Sequence, residues 1–574
     1  MAMAAYGSFS ELSHQLRFLL FEIGIGYSQH QIDHFITRAH HDALERLQRA
    51  ALQDDLISSP IISHNVHDYI DQLKLFKKNP SSGSILCQWS NIHHEVNESI
   101  ANEALALAYK ERWNAQIIKQ ASSYSDLWTW LNKSLDAQEC LIFLEQWGNK
   151  GHPYNPAFRA KIGFTRREVL QYCPEFQGKM SLHWAALAKT KALIASQSND
   201  IDVIMANEFP DEYRTWQEKL ILNRLNPDKY YPIPIHPWQW RHQLQNLCKD
   251  LIDERFLILF PYHQTVFPSM SFKTHIPESN EKIHLKLASC VNVVDIPPRT
   301  TDIENYGPII SNWLCWLLKQ EIRNDLFLAK DWARLAMNDS SLNTYQQNEL
   351  SVTLRQNPIK FITPSQKLIP LASLFNISSL THTSLLREII KNSFLSPIEY
   401  FHEYCHKLLY GQLTLLIKFG VVVTSPLTEL LIILDDAKPH GFVIRSVDHL
   451  VIGRVPHLKY PPPDLPDDAS FITSGLDALR ALFVQNTIQN NLECWIECFL
   501  KEFQIQPHIL WNKVIHVIEH IFNELTDNCE QPNLKMEERA IIGLIREHKN
   551  LMSQQTNPFI NHQTSADQGK LRVI

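Results

Sequence analysis

The chain has 574 residues, 44% of them apolar and 20% charged, which fits several globular domains and excludes a disordered chain. A formal charge of -7 excludes the basic excess of a nucleic-acid partner, so a basic cluster here predicts a local anion site. The sequence has no basic-then-apolar leader and no apolar run long enough for a span, which predicts a soluble, cytoplasmic protein with no membrane partner.

Up to residue 145 apolar residues recur at helical spacing, as in HHDALERLQRAALQDDL and NESIANEALALAYKERWNAQII, which predicts a helical domain over 1–145. Directly behind it comes GNKGHPYNPAFRAKIGF, residues 148–164. Two prolines stiffen the backbone around His152 and Asn155, and Arg159 and Lys161 follow at once. Read alone, this is a frame for a polycarboxylate or phosphate, or an ordinary proline turn beside a basic surface.

From 230 to 300 the texture becomes short β-prone runs, predicting an antiparallel sheet. In SMSFKTHI, Ser271 and Lys273 are two apart, which predicts that they share a strand face, with Thr274 adjoining. PESNEK predicts a hairpin loop, after which come Lys286 and then Arg299 in IPPRTTD. These cations and hydroxyls predict a triphosphate cradle, against the alternative of a solvated strand face.

Helices return in SNWLCWLLKQEIRNDLFLAKDWARLAM and SPIEYFHEYCHKLLYGQLTLLIKFG, followed by two strands, LTELLIIL and HGFVIRSVDHLVI, that bracket the turn DDAKP. Further helices are expected to about 552, then a loose polar tail over 553–574. The ten cysteines are scattered, and Cys494 and Cys498 lack matching partners, which predicts core thiols. The histidine doublets at 40–41 and 93–94 predict surface residues.

Taken together, GHPYNPAFRAKIGF, IPIHPWQW, SFKT, KLASCVNVVDIPPRT, YGPIISNWL, LRQNP and LLIKFGVVVTSPLTELLIIL, in this order, resemble the motifs of the IucA/IucC family of siderophore synthetases. The resemblance implies an α+β thumb, fingers and palm architecture: a helical thumb over 1–145, fingers over 146–375 and a palm over 376–552, with antiparallel sheets in fingers and palm. It implies a ligase that uses ATP and Mg2+ to adenylate a citrate-like carboxylate and then condenses it with an amine or alcohol. The partners implied are a small polycarboxylate and an amine, with a homodimer as the assembly.

Matching positions imply ATP contacts from Ser271, Lys273, Thr274, Lys286 and Arg299. They imply substrate contacts from His152, Asn155, Arg159, Lys161 and Arg445, with Arg299, Lys286 and His152 as catalytic groups. The palm departs from the family pattern: Thr424, Pro426 and Glu429 stand where the family has Glu, His and Asn, and Ser446 where it has Asp. Losing carboxylates weakens a hard-cation site. The expectation is therefore a shifted magnesium site on Glu429 and Asp448, with Asp448 on the strand face of Ser446. The alternative is an impaired member acting as a binding or scaffold subunit.

Overall fold

A computed structural model describes residues 9–563 apart from 54–55, 58–60, 76–88, 150–153, 197–199, 289–291, 294–300, 323–324, 424–426, 449, 455–461, 467–468, 474 and 528–533. His152, Arg299, Thr424 and Pro426 lie outside the described residues.

The expected sheet is present and has eight strands. Their order is Ala192–Ser196, Asp331–Met337, Ser351–Gln356, Ile283–Leu287, Thr274–Pro277, Leu257–Pro268, Met180–Ala188 and Tyr230–Ile235. Every pairing in it is antiparallel. PESNEK closes a hairpin between Thr274–Pro277 and Ile283–Leu287. Ser271 and Lys273, however, precede the strand in a turn, so a shared strand face does not describe them. Phe272 takes φ +64 there, and the reversal puts its neighbours outside the alternation of a strand.

A four-stranded sheet joins Lys367–Pro370, Leu430–Asp435 and Lys438–Ile444 antiparallel, with Leu326–Leu328 added in parallel. DDAKP makes its hairpin turn, with Asp436 and Ala437 both at positive φ. HGFVIRSVDHLVI is two strands and not one: Lys438–Ile444 belongs to this sheet, and Leu450–Gly453 to a separate one with Val421–Val423 and Ile472–Thr473. Arg445, Ser446 and Asp448 occupy the break, so the face argument for Asp448 fails. Ser446 Oγ instead accepts the Asp448 N–H at 3.1 Å.

Two large cores organise the chain. One packs the helices Phe9–Glu22, Gln29–Gln53 and Val66–Leu75 against the eight-stranded sheet. The other unites Leu127–Ser134, Ala137–Trp147, Thr301–Glu321, Pro397–Phe419 and Pro507–Asp527 with the smaller sheets. Helix Trp89–Gln120 contributes to both, Ile92 to Ala108 in the first and Trp113 with Ile117 in the second, so the cores change partway along it.

Cys140, Cys173, Cys248 and Cys405 are buried thiols, and no disulfide forms among the described residues. Of the histidine doublets, His41 is exposed while His40 and His93 are half-buried. The last helix, Leu534–Gln563, continues past the expected end near 552, and residues 564–574 lie outside the described ones. Among the described residues no helix is long and apolar enough to cross a membrane.

Candidate functional site

Strand register builds a polar row across the large sheet. Thr274 stands opposite Lys286, Lys286 opposite Thr353, and Thr353 opposite Arg334. Residues in direct opposition share a face, and so do residues two apart, so His284 and its partner Arg355 join this face. Here it is buried under helix Thr301–Glu321 and the segment after Ile444.

Burying three cations requires carboxylates nearby. Lys286 Nζ is 2.9 Å from Glu304 and 2.6 Å from Asp448. Arg334 reaches the other oxygen of Glu304 at 3.1 Å. Arg355 donates to both oxygens of Asp331, at 2.6 and 3.2 Å, with Asp448 at 3.9 Å. Gly307 lets the helix approach this closely, because a Cβ there would lie 3.1 Å from Asp331 Oδ2.

Burial alone would depress the Lys286 ammonium, but Asp448 and Glu304 outweigh it and hold it above its ordinary value. Against the opposing effect of burial, Lys286, Arg334 and Lys273 pull Glu304 down to about 2. His284 is driven to about 3 by burial, then by Arg445 and Arg355, and is therefore neutral.

Glu429 behaves oppositely. Burial pushes its carboxyl up to about 7, and Asp448 and Glu145 add to the rise while Arg445 and Arg355 oppose it. Its oxygen lies 4.0 Å from Arg445 Nε, an atom that is buried with no hydrogen-bond partner among the described residues. The guanidinium of Arg445 forks onto Glu145, one contact being 3.1 Å, and Glu145 accepts the Met270 N–H at 2.9 Å. Arg445 thus fastens the Ser271 turn through helix Ala137–Trp147.

That turn is also tied to the first motif. Phe272 N–H donates to Ser269 O at 2.9 Å, Lys273 N–H to Ser271 O at 2.8 Å, and the Ser269 and Ser271 hydroxyls are 3.0 Å apart. Lys161 Nζ sits 5.4 Å from the Phe272 ring centroid, a cation–π contact. The Lys161 backbone pairs with Val293, directly ahead of the stretch carrying Arg299.

Arg159 differs from the expectation of a substrate contact. It is buried and donates to Glu103, to Glu175 at 2.8 Å and to the Asn149 carbonyl at 2.8 Å, so its fork is committed to the protein. Asn155 is buried and its Oδ1 accepts the Ala157 N–H at 2.9 Å, shaping the proline turn. The structure therefore gathers Lys273, Thr274, Lys286, Arg445, Glu429 and Asp448 around one buried polar face, and places Asn155 and Arg159 within the supporting turn.

Arg334, Arg355, Glu304, Asp331 and Glu145 were not among the residues expected. The signal available in sequence was an Arg inside each of two apolar runs, DWARLAM and SVTLRQ. A cavity of about 460 Å³ opens at the end of the row, lined by Arg334, Asn305, Tyr306, Ile194, Pro466 and Ala469 among others.

The IucA / IucC family model matches residues 140–376, the stretch that supplies the turns, the row and helix Thr301–Glu321. Over residues 140–376 the chain is an IucA/IucC-type sequence. A second model, ferric iron reductase FhuF-like transporter, matches residues 398–564. Among the family's relatives, staphyloferrin A synthase of Staphylococcus aureus is 22% identical over 481 residues, covering 78% of this chain and 79% of that one.

Among solved structures, the aerobactin synthetase IucC of Klebsiella pneumoniae superimposes with a TM-score of 0.66 at 15% identity, covering 83% of this chain and 81% of that one. An ATP-bound aerobactin synthetase IucA of the same organism gives 0.59 at 18% identity, over 79% and 78%. These likenesses establish the family's α+β fold for this chain.

Proposed function

We propose that this chain is an ATP-dependent ligase of siderophore biosynthesis, cytoplasmic and dimeric, that adenylates a citrate-like carboxylate and condenses it with an amine or alcohol. The observation that carries the reading is Lys286, buried between Glu304 and Asp448 on a cationic sheet face inside the family-matched segment. ATP and a polycarboxylate repel one another, so a site that joins them needs fixed positive charge with water excluded. Ser271, Lys273, Thr274, Lys286 and Arg299 are the nucleotide-holding set. His152 and Lys161 are the acid-holding residues, while Arg159 and Arg445 act by positioning the two turns.

In the first step a substrate carboxylate oxygen attacks the α-phosphorus, pyrophosphate leaves, and an acyl adenylate forms. The nucleophile then attacks the acyl carbon and AMP leaves. Lys286 and Arg299 counter the charge that builds on the phosphates. Glu429 and Asp448 offer the hard oxygen donors that suit Mg2+, which when bound would neutralise phosphate charge. The unpartnered Nε of Arg445 beside them suits an anionic ligand at the same place.

A second reading, an impaired subunit that binds without turnover, is favoured by one observation. Asp448 and Glu304 both pair with Lys286, and burial pushes Glu429 up to about 7, so the carboxylates have partners or protons already. The deciding experiment incubates folded protein with ATP, magnesium and citrate-like acids, and follows acid-dependent pyrophosphate and AMP with hydroxylamine capture of the adenylate. Acid-dependent pyrophosphate establishes the ligase. ATP binding without pyrophosphate for any tested acid establishes the impaired reading.

A further inference from the structure

Far along the chain from the sheet face, the helices Pro397–Phe419 and Pro507–Asp527 pack against each other, and both contribute to the second core. Where they meet, His406 from the first faces His520 and Glu524 from the second. His520 and Glu524 are four apart, so they lie on the same helix face. Both imidazoles converge on a single carboxylate oxygen, His520 Nε2 at 3.2 Å and His406 Nε2 at 3.8 Å from Glu524 Oε1. One donor atom from each of the three lies within 4.8 Å of the others.

We propose that His406, His520 and Glu524 form a site for a divalent first-row transition-metal cation of the zinc class, clipping the two helices together. A tetrahedral ion with ligands about 2.1 Å away spaces its donors by about 3.4 Å, and the distances here bracket that value. Two imidazoles and one carboxylate are a zinc-type donor set, and a hard cation such as magnesium would take oxygens instead. The helices supply the preorganisation: they already hold all three donors within 4.8 Å of one another.

An ordinary ion pair explains the cluster less well. His520 is exposed and Glu524 only half-buried, where such a pair stabilises little. It also leaves unexplained why a second imidazole, from another helix, is aimed at the same oxygen. His402, one turn before His406 with ring centroids 6.3 Å apart, borders the site, and Lys513 acts on His402 from the second helix.

The site stands apart from the proposed ligase residues, so its test does not depend on turnover. Chelator-stripped full-length protein is titrated with Zn2+ against a chromophoric chelator, and with Co2+ while its visible absorption is recorded. One equivalent of Zn2+ is expected to bind, raising the melting temperature, with Co2+ giving a ligand-field band. His406→Ala with His520→Ala is expected to weaken binding by roughly 100-fold or more and to abolish the band. His516→Ala, one turn away and exposed, should retain both. Glu524→Gln keeps the side chain's shape and isolates the carboxylate's share. Absence of a stoichiometric site in the native protein, or equal binding by the double variant with unchanged circular dichroism, overturns the proposal.

Discussion

Lys286 Nζ lies 2.6 Å from Asp448 Oδ2, and this ion pair fastens a strand of the eight-stranded sheet to the break between the two smaller sheets. Breaking a buried pair leaves a charge with nothing to replace water, which costs more than the pair contributes. Lys286→Met is expected to destabilise the fold by about 3–5 kcal/mol, and Lys286→Met with Asp448→Asn by less than the two singles combined. Urea unfolding of the four proteins in that cycle measures the coupling. Strict additivity would show that the contact carries no interaction energy.

Glu429 makes stability pH-dependent in an unusual direction for a carboxylate. Its folded value is about 7 against an ordinary 4.5, so between those limits the folded state holds a proton that the unfolded chain releases. Stability from this group is complete below 4.5 and is lost as the pH rises through about 7. Glu429→Gln should remove up to about 3 kcal/mol of that slope, so the variant gains on the native protein between mildly acidic and alkaline pH. Denaturation midpoints across that range report it, and parallel pH profiles for the two proteins would refute it.

The same proton bears on magnesium. A metal-bound carboxylate must be ionised, so magnesium-dependent ATP binding should tighten as the pH rises through about 7 and should release a proton. Calorimetry in buffers of differing ionisation heat reads the proton directly. In the Glu429→Ala, Asp448→Ala double variant the magnesium dependence should disappear, and its survival would exclude both residues as ligands.

Arg159 is expected to act on folding and not on substrate affinity. Its three acceptors, Glu103, Glu175 and the Asn149 carbonyl, are left unmatched in Arg159→Met, which should lower stability by about 3–5 kcal/mol. At a temperature where the variant is folded, the KM for the acid should stay within about threefold of native, a change below 1 kcal/mol. A large rise in KM alone would restore Arg159 to the binding set.

Glu145→Gln should couple two readouts. It weakens the fork from Arg445 while keeping an acceptor for the Met270 N–H, so the Ser271 turn loosens. ATP affinity is expected to fall by about tenfold, the effect of a supporting residue that orients a binding group. Unchanged affinity with lowered stability would confine Glu145 to packing.

Local features of this protein were legible in its sequence because neighbouring residues decide them. Ser396, Pro397 and Glu399 start a helix through a capping box, and Gly420 ends it with φ +61, as the order of those residues dictates. DDAKP and PESNEK turn where they were expected to turn. The ordered motifs likewise marked the family before any contact was known.

Tertiary structure alone decided which charges meet. Arg445 and Glu145 are 300 residues apart, and no local pattern distinguishes that partner from any other carboxylate. Strand register put Arg334, Thr353 and Lys286 in one row, and the packing of helix Thr301–Glu321 then supplied Glu304. A cation in a β-prone run reads the same whether its face meets water or a helix. Only burial makes its partner obligatory, and burial is a property of the assembled fold.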